Sequence, residues 1–371
     1  MDKKLTPKRR VELALQKKFV DKVPFTSFNT FWLGPSVENP VIPQIKWVPQ
    51  CTVERDLRNR GLCLLDMLTM GYGLVRPNVK MFSTVTEKNG HLFIRTDYET
   101  PAGNLYNLKE VGKTTIWWHK KLFSSPEDYK TILYLIKDTR VFPDYENANA
   151  AIKAYGEDWL LRCDLGFEPL QDLITGDYMT MTEFCIQWMD NRDEVLKLYE
   201  ALVDIRRETY KVVADSPLYC VMYGGNVHPK ITSPDDFKKY YVPHYEEAAE
   251  ILHKKGKVLG SHFDADTKAY KDIIADTSLD IIEAFTPAPD TDMTMKEARE
   301  AWPDKIIWIN FPSSLHLASR ERIMAATEEI IESGGPEQLI IGITDDVPEF
   351  RWQESYTAIM DAIDNKFNIT L

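Results

Sequence analysis

The chain has 371 residues, 44% of them hydrophobic and 27% charged, which is enough to bury a sizeable core. A formal net charge of -12 and a pI of about 5.2 make it a poor match for phosphate backbones or anionic membranes, so neither nucleic acid nor membrane is an expected partner. No apolar run approaches the roughly 18 residues of a spanning helix. The start carries no secretory apolar region. Five scattered cysteines without a Cys-x-x-Cys pair read as reduced thiols, which predicts a cytoplasmic protein.

Thr6-Pro7 predicts an N-cap with proline at the first helical position, and a helix through Val11, Ala14 and Leu15. Val23 to Phe28 reads as a first buried strand. Residues 29–60, with four prolines and with Trp32 and Trp47, read as a long ordered excursion, in which an aromatic such as Trp32 can wall a pocket. Between residues 79 and 118 the period changes to two. Asn89-Gly90 there predicts a tight hairpin, set as an insertion on one face rather than a separate domain. Ser125-Pro126-Glu127-Asp128 predicts a capped helix through Ile136.

Alternating units follow. Strands are predicted at 159–163, 218–223, 258–263, 281–285, 306–311 and 339–344, with helices over 193–213, 233–256 and 319–333 between them. Near-continuous apolar strands alternating with helices argue for a parallel sheet with helices outside. No Gly-x-Gly-x-x-Gly and no Walker-type loop is present, so a closed (β/α)8 TIM barrel is favoured over an open nucleotide-binding sheet. The expected organisation is one barrel domain over 1–371, with an N-terminal extension and the hairpin insertion.

Active sites of such barrels sit at the C-terminal strand ends. Here those ends carry Cys163-Asp164, Gly224-Gly225-Asn226, His262-Phe263-Asp264, Glu283, Asn310 and Asp345-Asp346. Side chains two apart on a strand share one side, so His262 and Asp264 can converge on one point. An imidazole among carboxylates suits a divalent cation such as zinc. Glu283 lies in an otherwise apolar strand, and a buried carboxylate needs a partner or a ligand. Cys163 reads as core. His228, His244, His253 and His316 read as solvent-facing. The chain lacks the His-x-His that many barrel metallohydrolases place after the first strand.

These residues carry a resemblance. Thr6 to Leu15, Asp21-Lys22-Val23-Pro24, Ser233 to Phe237 with Pro243, Gly260 to Asp264, Ile282 to Pro287, Asn310-Phe311-Pro312 and Ile343 to Pro348 resemble the uroporphyrinogen decarboxylase superfamily. Within it they look most like the corrinoid-dependent methyltransferases that demethylate methoxylated compounds. The decarboxylase's Arg-x-x-Gly-Arg carboxylate clamp has no counterpart here, where residues 25–34 contain no arginine. The positions matching the family's zinc-binding His-x-Cys and later Cys are His262, Asp264 and Asp345, a harder and more Lewis-acidic set.

The resemblance implies an enzyme that moves a methyl group from a methoxylated, aromatic substrate to Co(I) of a separate corrinoid protein. Zinc on His262, Asp264 and Asp345, with Glu283 beside it, would polarise the ether oxygen. Asn226, Asn310 and Trp32 would bind the substrate, and the chain can act as a homodimer. Two alternatives stay open: transfer from methyl-corrinoid to a thiol or other acceptor, and a metal-free decarboxylase-like lyase.

Overall fold

Eight short apolar runs become the staves of one closed, all-parallel barrel. The computed structural model describes residues 5–18, 21–28, 52–66, 69–112, 115–345, 347–348 and 350–368, with backbone alone at 52–54. Trp32, expected to wall the pocket, lies outside the described residues.

In chain order the strands are β1 (Phe25–Phe28), β2 (Leu62–Asp66), β3 (Tyr72–Val75), β4 (Lys80–Lys88), β5 (His91–Thr100), β6 (Gly103–Val111), β7 (Ile116–Lys120), β8 (Arg140–Pro143), β9 (Trp159–Asp164), β10 (Cys220–Tyr223), β11 (Val258–His262), β12 (Ile281–Phe285), β13 (Ile306–Asn310) and β14 (Leu339–Ile343). The barrel runs β1-β14-β13-β12-β11-β10-β9-β2 and closes on itself.

The core has two compartments, because alternate residues on each stave face opposite ways. Outward residues such as Leu64, Val221, Leu259, Ile282, Ile307 and Ile341 pack under the helices. Inward residues Cys63, Leu65, Leu160, Cys220, Met222, Ile281, Ile306, Trp308 and Ile340 form a second cluster. Val11, Ala14 and Leu15 of the first helix, Pro7–Leu15, join that inner cluster and so close one end of the barrel. Two inward glycines make room for large neighbours. A Cβ on Gly260 would stand 2.7 Å from Met222 Cε, and one on Gly342 would stand 2.9 Å from Trp308 Nε1. The Trp308 indole donates to Thr26 Oγ1 at 2.9 Å, so the largest inner side chain is also hydrogen-bonded.

The insertion leaves the barrel after β2, on the side where the strands end and where barrel enzymes carry their sites. It holds a β3-β8 pair and an antiparallel sheet β4-β5-β6-β7. Asn89 and Gly90 adopt φ of 54° and 80°, the left-handed pair that a two-residue hairpin turn requires. Tyr98 and Leu105 bury the root of this sheet, whereas Val85 and Trp117 at its far end are exposed.

Two details differ from expectation. The stave β2 is an additional strand. It follows the helix Thr52–Arg60 through Gly61, whose φ of 118° allows the abrupt turn. The helix expected over 233–256 is two helices, Pro234–Tyr240 and Val242–His253, with Pro243 in the first turn of the second.

Candidate active site at the barrel mouth

Three charged side chains on inward positions meet near the C-terminal strand ends. His262 on β11 and Glu283 on β12 are register partners, and His262 Nδ1 stands 2.6 Å from Glu283 Oε2. The other oxygen, Glu283 Oε1, accepts from Arg162 Nη1 of β9 at 2.5 Å, across the barrel. The far ring nitrogen, His262 Nε2, is 3.5 Å from Asp264 Oδ2. The Arg162 guanidinium lies over the rings of Phe28 and Trp308, at 5.0 and 5.4 Å, a stacked position that suits arginine rather than lysine.

A bulge aims this array. Between Glu283 and Phe285 the β12-β13 register shifts, and Ala284 takes φ of 55°, a left-handed conformation rare for a residue with a Cβ. Bulges of this kind redirect a side chain next to a functional site. The array also grades from closed to open. The Glu283 side chain is 1% exposed and Arg162 5%, whereas His262 is 23% and Asp264 28% exposed.

Burial alone would push the His262 imidazole down. The Glu283 carboxylate, with a smaller contribution from Asp264, outweighs it and holds the ring up at about 10. Burial would likewise push Glu283 up, but Arg162 and then His262 hold it down at about 2. Both groups are therefore charged at neutral pH. The stability that His262 contributes is complete below its ordinary value of 6.5 and drains away as pH rises towards about 10. That from Glu283 is complete above 4.5 and is lost as pH falls towards about 2. Their joint contribution should peak between pH 4.5 and 6.5. Urea midpoints of the parent and His262→Gln, compared across pH, check this: the gap should narrow on the alkaline side.

The other expected residues are placed as follows. Asn226 is exposed at the mouth, after Gly224 and Gly225, with φ of 58°. Its carbonyl accepts from Gln171 Nε2 at 3.0 Å. Asn310 is not available to a substrate. It is fully buried, its amide nitrogen donates to Thr286 Oγ1 and Asp345 Oδ2, and its oxygen accepts from Thr344 N. Asp345 takes bonds at 2.7 Å from both Asn310 and Ser313 Oγ. That carboxylate is thus bound into the β13-β14 loops and not to His262. Cys163 is buried core, its thiol turned to the Met70 carbonyl. His244 and His316 are buried, not solvent-facing. Each ring bonds a hydroxyl, Tyr199 and Ser355 respectively, and burial pushes each down to about 4.

Whether the residues fit a zinc ion is decided by their arrangement. His262 Nε2 and Asp264 offer two neighbouring donors, and the buried Asp264 Oδ1 has no hydrogen-bond partner among the described residues. Among the described residues no three His, Cys, Asp or Glu side chains form a group that could hold a metal ion. The expected set of His262, Asp264 and Asp345 is not assembled as a cation site, and Glu283 orients His262 rather than sharing a ligand position.

Two functional groups escaped the sequence reading. Arg162 is the first, although an arginine inside the apolar run Trp159–Cys163 mirrors Glu283 inside β12. Glu168 is the second. It is fully buried, and Oε1 accepts from Tyr245 at 2.5 Å and Ser261 at 3.2 Å. Burial pushes this carboxyl up to about 7. The mouth loop rests on it: a Cβ on Gly224 would lie 1.9 Å from Glu168 Oε2, and one on Gly225 would lie 3.2 Å from the His262 ring. Gly224→Ala must therefore move the loop that carries Asn226, and at φ of 61° it is strained as well. A cost of roughly 2–4 kcal/mol is expected in urea unfolding. Gly90→Ala, with open space around it, should cost less.

The chain is thus a (β/α)8 barrel with a buried charge array at its mouth. Residues 170–365, just over half of the chain, match the model of the family described as uroporphyrinogen decarboxylase (URO-D), and the chain belongs to that family. A search of the curated proteins gives no match. Among solved structures, a methyltransferase from Methanosarcina mazei is 15% identical with a TM-score of 0.57, covering 98% of this chain and 100% of that one. A B12-independent methionine synthase from Shewanella sp. W3-18-1 in complex with selenomethionine is 9% identical with a TM-score of 0.45, covering 86% and 87%. At 15% identity the likeness to the first is one of fold. No helix among the described residues is long and apolar enough to cross a membrane.

Proposed function

We propose that the chain is a methyltransferase that takes the methyl group of a methoxylated aromatic compound and delivers it to a separate corrinoid protein. The observation that carries this reading is the array Arg162–Glu283–His262–Asp264, which fixes Nδ1 of a part-exposed imidazole on Glu283 and sets its Nε2 beside Asp264. Family membership and the barrel shared with a methyltransferase agree with it. Decarboxylation of a porphyrin polycarboxylate fits less well. That substrate needs cations at the mouth, and the inward-facing Arg162 is already engaged by Glu283.

The corrinoid protein is a substrate here, supplying the nucleophile that accepts the methyl group. This chain's task is the departing oxygen. As the methyl carbon leaves, the carbon–oxygen electron pair stays on oxygen, and His262 Nε2 gives that oxygen its proton. Glu283 fixes the ring through Nδ1 and keeps it protonated, and Arg162 keeps Glu283 charged. Donation from a positioned acid is worth roughly 10²–10⁴ in rate. A phenol and the His262 imidazolium hold protons with similar affinity, about 10 in each case, so a phenolic leaving oxygen suits this acid. The exposed Asn226 amide would hold the substrate at the rim.

The test is to mix the protein with cobalamin reduced to Co(I) and a panel of methoxybenzoates, and to follow the cobalt spectrum. Methylated cobalamin and the matching phenol should appear in equal amounts. Failure with this panel and with other ethers and methylamines, or carboxyl loss from uroporphyrinogen, would refute the reading. Zinc content of the same protein, purified without chelator, shows whether an ion accompanies the activity.

A further inference from the structure

A cavity of about 290 Å³ lies where the insertion meets the barrel's helices, and none of its lining residues belongs to a barrel strand. Leu135, Phe167 and Leu202 give it an apolar wall. Two guanidinium groups also reach it, Arg206 from the helix Arg192–Ala214 and Arg76 from the turn after β3.

The two arginines differ. Arg206 is engaged: Nη2 donates to Asp172 Oδ2 at 2.8 Å and Nε to the Phe167 carbonyl at 2.9 Å. Arg76 is held only at Nε, which donates to Thr139 Oγ1 at 3.1 Å. Its two terminal nitrogens have neither hydrogen bond nor ion pair among the described residues. The acids nearby act on Arg76 through space, as Asp172 does, but neither is bonded to its terminal nitrogens. Asp172 is paired with Arg206, and Asp177 faces Lys109 at 4.0 Å. The wall balances two arginines with two aspartates, yet the Arg76 fork has no direct partner among the described residues and stands in a largely apolar concavity.

We propose that this cavity is a second binding site, distinct from the barrel mouth, for a small monocarboxylate with an apolar body. The carboxylate would take the paired N–H groups of Arg76, the planar fork that matches it. The apolar body would lie against Leu135, Phe167 and Leu202. A dianion such as phosphate suits the cavity less, because Asp172 and Asp177 stand on its wall and half the lining is apolar. The volume is at the lower end of ligand sites, the size of a single-ring acid. Because Arg76 belongs to the insertion and Leu202 to the barrel's helices, an occupant would bridge the two. The inference does not depend on the chemistry at His262.

Calorimetric titration of the full chain with benzoate, and with benzamide as its uncharged counterpart, tests the site. One saturable equivalent of benzoate that depends on Arg76 is expected, apart from any held at the barrel mouth, with benzamide binding there at least about tenfold more weakly. Arg76→Met should weaken benzoate to the level of benzamide, and Leu74→Trp, at the exposed rim, should block both. If Arg76→Met does not fold, Arg76→Lys, which keeps the charge but loses the fork, should still weaken benzoate. His262→Ala should leave that equivalent in place. Absence of saturable benzoate binding, binding indifferent to Arg76, or binding lost in His262→Ala would each overturn the proposal. The last result would assign the acid to the barrel mouth instead.

Discussion

A Glu283→Ala variant should unfold in urea about 3–5 kcal/mol more readily than the parent, because it leaves opposite-charge partners buried without their carboxylate. Glu283 is 1% exposed and touches both Arg162 and His262, so one truncation removes two charge-assisted bonds. The size of this loss is not the net worth of the pair. Replacing Arg162 by Met and Glu283 by Leu together removes both charges and fills much of the same volume. The double variant should recover most of the lost stability. It should recover no activity, since His262 would lose the carboxylate that orients it and raises its proton affinity. A double variant as unstable as the single one would mean that the ion pair is not the unit that holds the mouth together.

His262→Gln should lower methyl transfer from a methyl phenyl ether by roughly 10²–10⁴, and the stability it also loses at neutral pH should shrink as pH rises towards about 10. Glutamine can still reach Glu283 and Asp264 by hydrogen bonds, but it has no proton to give. The loss should therefore fall on turnover rather than on substrate affinity, and steady-state kinetics with free reduced cobalamin separates the two. The parent's turnover should fall at high pH as His262 loses its proton, near its raised value of about 10.

Much of the barrel could be read from residues because its staves are short, continuous apolar runs. Ile281-Ile282, Ile306 to Ile309 and Leu339 to Ile343 are buried on both faces and need no pairing information to be seen. The stave Leu62–Asp66 is as apolar but follows a helix with only Gly61 between, so nothing local separates it. The site was legible where one residue breaks a local rule. Glu283 in an apolar strand demanded a partner, and it has two. Which partners was not legible, because Arg162 lies 121 positions away and meets Glu283 only through barrel closure. Asn310 and Asp345 show the opposite failure. Both stand at strand ends as expected, yet they are engaged with each other, with Thr286, Thr344 and Ser313. Position along a stave says which end a residue occupies, not whether its hydrogen bonds are already taken.

Dependence of the rate on the departing oxygen tests proton donation by His262 most directly. Methyl aryl ethers with progressively more acidic phenols would be compared in the parent and in His262→Gln, with free reduced cobalamin as acceptor. The variant's deficit should grow with the basicity of the departing oxygen. It should be near zero for nitrophenyl ethers, which leave as stable anions, and about 10²–10⁴ for alkylphenyl ethers. An equal deficit across the series, or none at all, would contradict a proton passing from His262 to the leaving group.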